Sequence, residues 1–433
     1  MSYLLNIIYL LTLILLSPWL VYKALTTGKY RRGLWSKISG RAYGRSTDRP
    51  GAWFHGVSVG EIHLLRQVVA GFRKRHPDWD CVISTTTDTG YDEACKRFAD
   101  LPVFFWPFDF TWAVRRALGR VKPSLVVLAE CELWPNFLSI AKRKGIPVAV
   151  INARMSPRSL GRFERLSWLV GGLFRKLNLC GVQTEEYAAA YRALGASNVQ
   201  VTGSVKYDGA CSDRANPKSR DLRRLLDIGD DALVWIAGST QAPEEEIVLN
   251  IYRKAKQQHS NLRLILVPRQ KERFDEVAEL LRRSEFNFTR RSQMSLGQLV
   301  SANHIILVDT FGELGALWGL ADVAFVGGSL DGKRGGQNMI EPAAYGAAVL
   351  FGPHTWNFKD TVARLVEQKA AIQVADAMGL ERETLRLLAD PHSRRQLGHA
   401  AQRFVLSQQG ATERTLQALD ELLSHFKASA RAA

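Results

Sequence analysis

From residue 51 onward this 433-residue sequence alternates short apolar runs with longer amphipathic stretches, and that rhythm constrains the fold more than any other feature. Strands of a parallel sheet are buried on both faces and read as near-continuous apolar runs; the crossover helices between them supply the amphipathic segments. Runs at 52–57, 81–84, 124–129, 147–151, 179–183 and 199–203 form one series. Runs at 233–237, 262–267, 304–308, 323–326 and 348–351 form a second, followed by a tail at 378–427 that reads as helical. The turn-rich stretch 207–216, with Pro217 just after it, reads as the connection. The pattern predicts an α/β protein of two facing Rossmann-like lobes, at 51–206 and 232–427, joined by a linker at 207–231. Sheets of this kind bind ligands beyond the carboxyl ends of their strands, so functional motifs should follow strands and face a cleft.

The remaining segment is the amino terminus, and there the charge distribution matters. The chain carries 58 Lys and Arg against 42 Asp and Glu, a net charge of +16. Such a balance points to nucleic acid, an anionic membrane or an acidic substrate. Residues 1–22 hold no charged side chain. As a helix they would cover roughly the 30 Å of a hydrocarbon core. Lys23, Lys29, Arg31, Arg32, Lys37, Arg41, Arg45 and Arg49 follow, whereas a cleaved signal peptide carries its positive charge in front. By the positive-inside rule the body lies in the cytoplasm. Residues 1–27 are thus expected to be a membrane anchor at the cytoplasmic face of the inner membrane, and 28–50 a basic juxtamembrane segment. Asn6, Ser17 and Pro18 leave a shallow interfacial helix as a second reading. The charge is expected to meet an anionic membrane surface, not nucleic acid. Five widely spaced cysteines, without a Cys-x-x-Cys pair, suggest neither a disulfide framework nor a zinc ribbon.

Several motifs do follow predicted strands. Ser58-Val59-Gly60-Glu61 has the spacing of a helix capping box, and equally places a carboxylate where a general base would face the cleft. In Glu130-Cys131-Glu132-Leu133-Trp134-Pro135-Asn136 two carboxylates stand two residues apart at a strand end and are expected to point to opposite faces, one structural and the other toward the cleft. Lys206 ends the first lobe, as a solvated lysine or as a point charge for an anion. Gly327-Gly328-Ser329 and Gly335-Gly336-Gln337-Asn338-Met339-Ile340-Glu341 form glycine-rich backbone entering a helix. Such backbone exposes amides to a phosphate, with Glu341 about one turn in and placed for ribose hydroxyls. Arg269 after one strand, and Asp309-Thr310-Phe311-Gly312-Glu313 after another, complete the second-lobe set. No metal-ligand spacing, Walker A loop or nucleophile elbow is present, so neither a metal nor a cofactor is expected.

Taken together, these motifs resemble those of the 3-deoxy-D-manno-octulosonic acid (Kdo) transferases, membrane-anchored enzymes of the glycosyltransferase-B fold. The resemblance runs almost the whole length. It includes Thr85-Thr86-Thr87 with Thr89-Gly90, Asn152-Ala153-Arg154, Val201-Thr202-Gly203-Ser204, Pro268-Arg269 and Gly352-Pro353-His354-Thr355. It implies inverting, metal-independent transfer of Kdo from CMP-Kdo to a lipid A precursor (lipid IVA). By the same resemblance Glu61 is the base, and Glu130 and Lys206 stabilise the transition state. Pro268, Arg269, Phe311, Gly312, Glu313, Asn338, Met339, Ile340 and Glu341 would contact CMP. The sequence departs from the family at Gln241, Gln270 and Gln337, where members commonly carry His; glutamine cannot become cationic. Two alternatives stand beside this reading: a glycosyltransferase-B enzyme using a nucleotide diphosphate sugar, and a membrane-attached CMP-binding paralogue without turnover.

Overall fold

The computed structural model describes residues 2–27, 32–155, 157–165, 172–295, 297, 300–301 and 303–432. The chain forms two compact units, Met1–Gly209 with Gln409–Ala433, and Ala210–Gln408.

The first unit holds seven strands: β1 Gly51–His55, β2 Asp80–Thr85, β3 Val103–Phe105, β4 Leu125–Ala129, β5 Val148–Ala153, β6 Leu179–Val182 and β7 Val199–Val201. They pair in parallel in the order β3-β2-β1-β4-β5-β6-β7. Strand alternation distributes the core over both faces. Trp53 packs against Phe104, Trp106 and Phe137 on one side, while Ala52 and Phe54 join Phe72 on the other. Each such buried aromatic contributes about 1.5–3 kcal/mol. The order reverses between β1 and β4, the switch point at which doubly wound sheets open a crevice.

The second unit repeats the plan with β8 Leu233–Thr240, β9 Leu262–Pro268, β10 Phe288–Arg290, β11 Ile305–Leu307, β12 Val323–Val326, β13 Ala348–Phe351 and β14 Ile372–Gln373. Its parallel order is β10-β11-β9-β8-β12-β13-β14, with the switch between β8 and β12.

Three features differ from the sequence-based expectation. First, the tail does not stay with the second unit. The helix Ala411–Ala432 buries Leu416, Leu419, Leu422 and Leu423 in the core that contains Phe72 and Val205. The carboxylate of Asp208 accepts the amides of Gly410, Ala411 and Thr412, capping that helix from within the first unit. Second, part of the expected linker is structured: the helix Pro217–Leu225 belongs to the second unit, and Ser219 Oγ donates to Ala316 O at 2.8 Å.

Third, part of the basic segment is built into the unit. Arg45 donates to Val121 O at 3.3 Å and Lys122 O at 2.8 Å, at the carboxyl end of the helix Thr111–Val121, and pairs with Asp80. A helix carboxyl terminus has orphan carbonyls and negative partial charge, which attract a guanidinium. Lys37 is buried, donating to Thr86 O at 2.8 Å, and Arg32 pairs with Asp92. Lys29 and Arg31 lie outside the described residues.

The amino-terminal segment forms the helix Ser2–Thr27. Asn6 docks it, with Nδ2 donating to Thr111 Oγ1 at 2.8 Å and Oδ1 accepting the Thr111 amide at 3.1 Å. Tyr9 donates to Asp109 at 3.1 Å. Ile7, Leu11, Ile14, Leu15, Trp19 and Tyr22 remain exposed. Among the described residues no helix is long and apolar enough to cross a membrane.

Candidate active site

In the first unit, the loops leaving β1 and β4 bring the predicted residues Glu61 and Glu130 together with Glu132. Ser58 caps the helix Val59–Arg75, accepting the Glu61 amide. The Glu61 carboxylate in turn accepts the Val57 amide at 2.8 Å and the Ser58 hydroxyl at 2.9 Å. The capping box is formed and still leaves the carboxylate accessible to chemistry: Ser58, Val59 and Gly60 are exposed, Glu61 is half-buried, and each carboxylate oxygen keeps a free lone pair. The Val57 peptide is fixed from its other side too, its carbonyl accepting Thr85 Oγ1 at 3.1 Å and Thr87 Oγ1 at 2.9 Å. A β-carbon at Gly90 would lie 2.5 Å from Thr85 Oγ1, which accounts for the glycine. Burial raises the Glu61 carboxyl above its ordinary range, opposed by the Val57 and Ser58 hydrogen bonds, and the Glu130 charge raises it further.

Glu130 has φ of 57°, a left-handed conformation costing a residue with a β-carbon roughly 1–3 kcal/mol. This turn breaks strand alternation immediately after β4. The expected separation of Glu130 and Glu132 onto opposite faces does not hold, since residues two apart share a face wherever the chain stays extended: Glu130 acts electrostatically on Glu61, and Glu61 and Glu130 act on Glu132. Glu130 pairs with Arg154 at 3.3 Å and with Lys206 at 3.5 Å. Asn152, itself at φ 53°, accepts the Val205 amide at 3.1 Å and so fixes the turn that carries Lys206. Glu132, absent from the predicted catalytic set, is pushed up to about 7, first by burial and then by the Glu61 charge. Its place beside Glu130 in one motif was the available signal. Arg154, likewise outside that set, was signalled by Asn152-Ala153-Arg154.

In the second unit, a pocket of ≈ 490 Å³ opens beyond the carboxyl ends of β8, β9, β11 and β12, lined by Gln241, Arg269, Gln270, Lys271, Glu272, Phe311, Arg334 and Gln337. Of the predicted donor contacts, Arg269 and Phe311 line it, Phe311 being 66% exposed. Gly312 follows at φ 85°, and Glu313 pairs with Arg291 at 2.6 Å and accepts Thr310 Oγ1. Glu341 stands in the first turn of the helix Ile340–Ala344, accepting Asn338 Nδ2 at 3.0 Å, and Arg269 acts on it electrostatically. Burial raises its carboxyl, with Asn338 and Arg269 opposing. Met339 and Ile340 are buried at 0% and 1% exposure and Pro268 ends buried β9, so their side chains serve the core. Lys271 and Arg334 had not been singled out; neither they nor Arg269 has an ion-pair partner among the described residues.

One expectation is corrected here. The amides of Gly328, Ser329 and Leu330 do not await a phosphate, because the Glu244 carboxylate already accepts all three, at 2.7, 2.9 and 3.1 Å. The three glutamines, scattered in sequence, all line this pocket. Among the described residues no group of three or more His, Cys, Asp and Glu side chains is arranged to hold a metal ion.

Two parallel-sheet α/β units, each with a switch point, are the plan of the glycosyltransferase-B class of fold. UDP-GlcNAc 2-epimerase from Neisseria meningitidis superposes with a TM-score of 0.56 at 12% identity, covering 86% of this chain and 100% of that one. MurG of Acinetobacter baumannii gives 0.55 at 12%, covering 86% and 99%. The family model of the 3-deoxy-D-manno-octulosonic-acid transferases (kdotransferases) matches residues 30–209. The 3-deoxy-D-manno-octulosonic acid transferase of Haemophilus influenzae is 34% identical over 387 residues, 88% of this chain and 90% of that one. Its Bordetella pertussis counterpart is 33% identical over 414 residues, 90% and 93%. The chain belongs to the Kdo transferase family and is a glycosyltransferase.

Proposed function

We propose that this glycosyltransferase moves Kdo from CMP-Kdo to a sugar hydroxyl of a lipid A precursor, lipid IVA, with inversion and without a metal. The observation that carries the reading is the Glu61 carboxylate, held from two sides at a switch point with its carboxyl raised by burial. A carboxylate so poised takes the proton of the attacking hydroxyl. As that oxygen bonds to the anomeric carbon from one face, the bond to the CMP phosphate breaks on the other, and configuration inverts. The Glu130–Lys206–Arg154 group balances charge beside the base. The cations Arg269, Lys271 and Arg334 meet the phosphate of the departing CMP, and Phe311 offers its exposed ring to the nucleotide.

The exposed apolar face of the helix Ser2–Thr27 supports a membrane site at the cytoplasmic leaflet of the inner membrane. Asn6 and Tyr9 fasten the helix to the body, which favours lying in the interface over crossing it. The experiment is a mass spectrum of lipid IVA after incubation with CMP-Kdo and the detergent-purified protein in excess chelator. Addition of Kdo is expected. An unaltered acceptor, or transfer only when a divalent metal is restored, would refute the proposal.

A further inference from the structure

The acidic run Glu244, Glu245, Glu246 opens the helix Glu244–Gln258, where carboxylates favour the helix dipole from exposed positions. The dipole does not require burial, yet Glu244 and Glu245 are 0% and 1% exposed. Burying a carboxylate costs several kcal/mol unless its oxygens are fully engaged. Both are engaged, and each with a different wall of the second-unit pocket.

The Glu244 carboxylate accepts four backbone amides. Oε2 takes Gln241 at 2.9 Å and Gly328 at 2.7 Å; Oε1 takes Ser329 at 2.9 Å and Leu330 at 3.1 Å. It thereby ties the loop after β8 to the loop after β12. Gly328 relays the hold: its carbonyl accepts the Gly336 amide at 2.8 Å, and a β-carbon on it would stand 3.3 Å from Gln337 Nε2. At Gly327 a β-carbon would stand 2.6 Å from Glu244 Oε2 and 2.7 Å from Thr240 Cα, so the fit excludes any larger residue. Glu245 pairs with Arg273 at 2.6 Å, at the end of the turn Lys271–Arg273 whose first two residues line the pocket. That turn follows Arg269, whose amide donates to Thr240 O at 3.1 Å.

We infer that Glu244 and Glu245 are paired positioning residues for the nucleotide donor, an internal anion and an internal ion pair that hold the walls bearing Gln241, Gln337, Lys271 and Arg269 in register. The inference rests on the donor reading of that pocket. Both negative charges are consumed inside the wall, so that the cations Arg269, Lys271 and Arg334 share the pocket lining with one acid, Glu272.

The test uses the full chain in detergent, with CMP as probe, comparing wild type, Glu244→Gln and Glu245→Gln. CMP affinity should fall about tenfold or more in each variant, the scale of one lost hydrogen bond to a charged group, while kcat at saturating donor stays within about threefold. Amide exchange should accelerate at Gly328, Ser329 and Leu330 in Glu244→Gln, and at Arg273 in Glu245→Gln. Where Glu244→Gln does not fold, Glu244→Asp, which keeps the charge on a shorter arm, should show the same pattern with a smaller loss. Unchanged exchange, or faster exchange with CMP affinity retained, overturns the assignment. Wild-type protein that binds no CMP sinks the donor reading instead, and the exchange arm then decides on the clamp alone.

Discussion

At the switch point of the first unit the three carboxylates Glu61, Glu130 and Glu132 meet; in the second unit, the pocket beside the switch point presents Arg269 and Lys271 after β9 and Arg334 after β12. One sheet plan carries two sites of opposite charge, and the devices that build them differ accordingly. Like charges are forced together in the first unit by backbone in left-handed conformations, at Glu130 and Asn152, and by the Val57 peptide gripped on both sides. In the second unit Glu244 and Glu245 are turned inward onto amides and Arg273, while Arg269, Lys271 and Arg334 outnumber Glu272 along the pocket. The lesson is a division of labour: the strained, carboxylate-rich end suits proton transfer, and the cationic, open end suits holding a phosphate.

The largest effect expected from breaking this contrast is at Glu61. Glu61→Gln keeps the cap's shape but removes the base, and single-turnover transfer should slow by about 10²–10⁴-fold. On the other side, Arg269→Ala or Arg334→Ala should raise the KM for CMP-Kdo by about tenfold or more with little change in kcat, read from steady-state kinetics. A subtler difference is pH. The Glu132 carboxyl is raised to about 7, so between the ordinary carboxylate range and about 7 the folded chain holds a proton that the unfolded chain has released. Stability should therefore fall as pH rises through that window. Glu132→Gln should flatten this slope in urea midpoints measured from pH 5 to 8, and remove any limb near 7 from the rate profile. The smallest effect concerns the helix that only the first unit carries. Tyr9→Phe deletes the bond to Asp109 and should cost about 1 kcal/mol in chemical denaturation.

The alternation of apolar runs revealed both sheets in the sequence, because central parallel strands such as β1, β4, β8 and β12 are buried on both faces. Three strands escaped: β3, β10 and β14 are two or three residues long and stand at sheet edges, where no apolar run is needed. Glu61, Glu130 and Arg269 were legible because their motifs follow strands. Glu132 was not separated from a structural role, since it was expected on the face opposite Glu130, whereas residues two apart on extended chain share one face and its charge is felt with that of Glu61. The stretch Gly327-Gly328-Ser329 misled for a different reason: sequence shows that amides are exposed by such a loop, and not that Glu244, more than eighty residues earlier, fills them. In the basic segment, sequence likewise does not show that Arg32 and Arg45 pair with Asp92 and Asp80, or that Arg45 and Lys37 also reach backbone carbonyls.

The division of labour is tested most directly by titrating CMP into Glu61→Gln and Arg269→Ala side by side with wild type. The account predicts that Glu61→Gln binds CMP with wild-type affinity while Arg269→Ala binds it about tenfold or more weakly. Equal losses of CMP affinity in both variants, or a loss confined to Glu61→Gln, would contradict it.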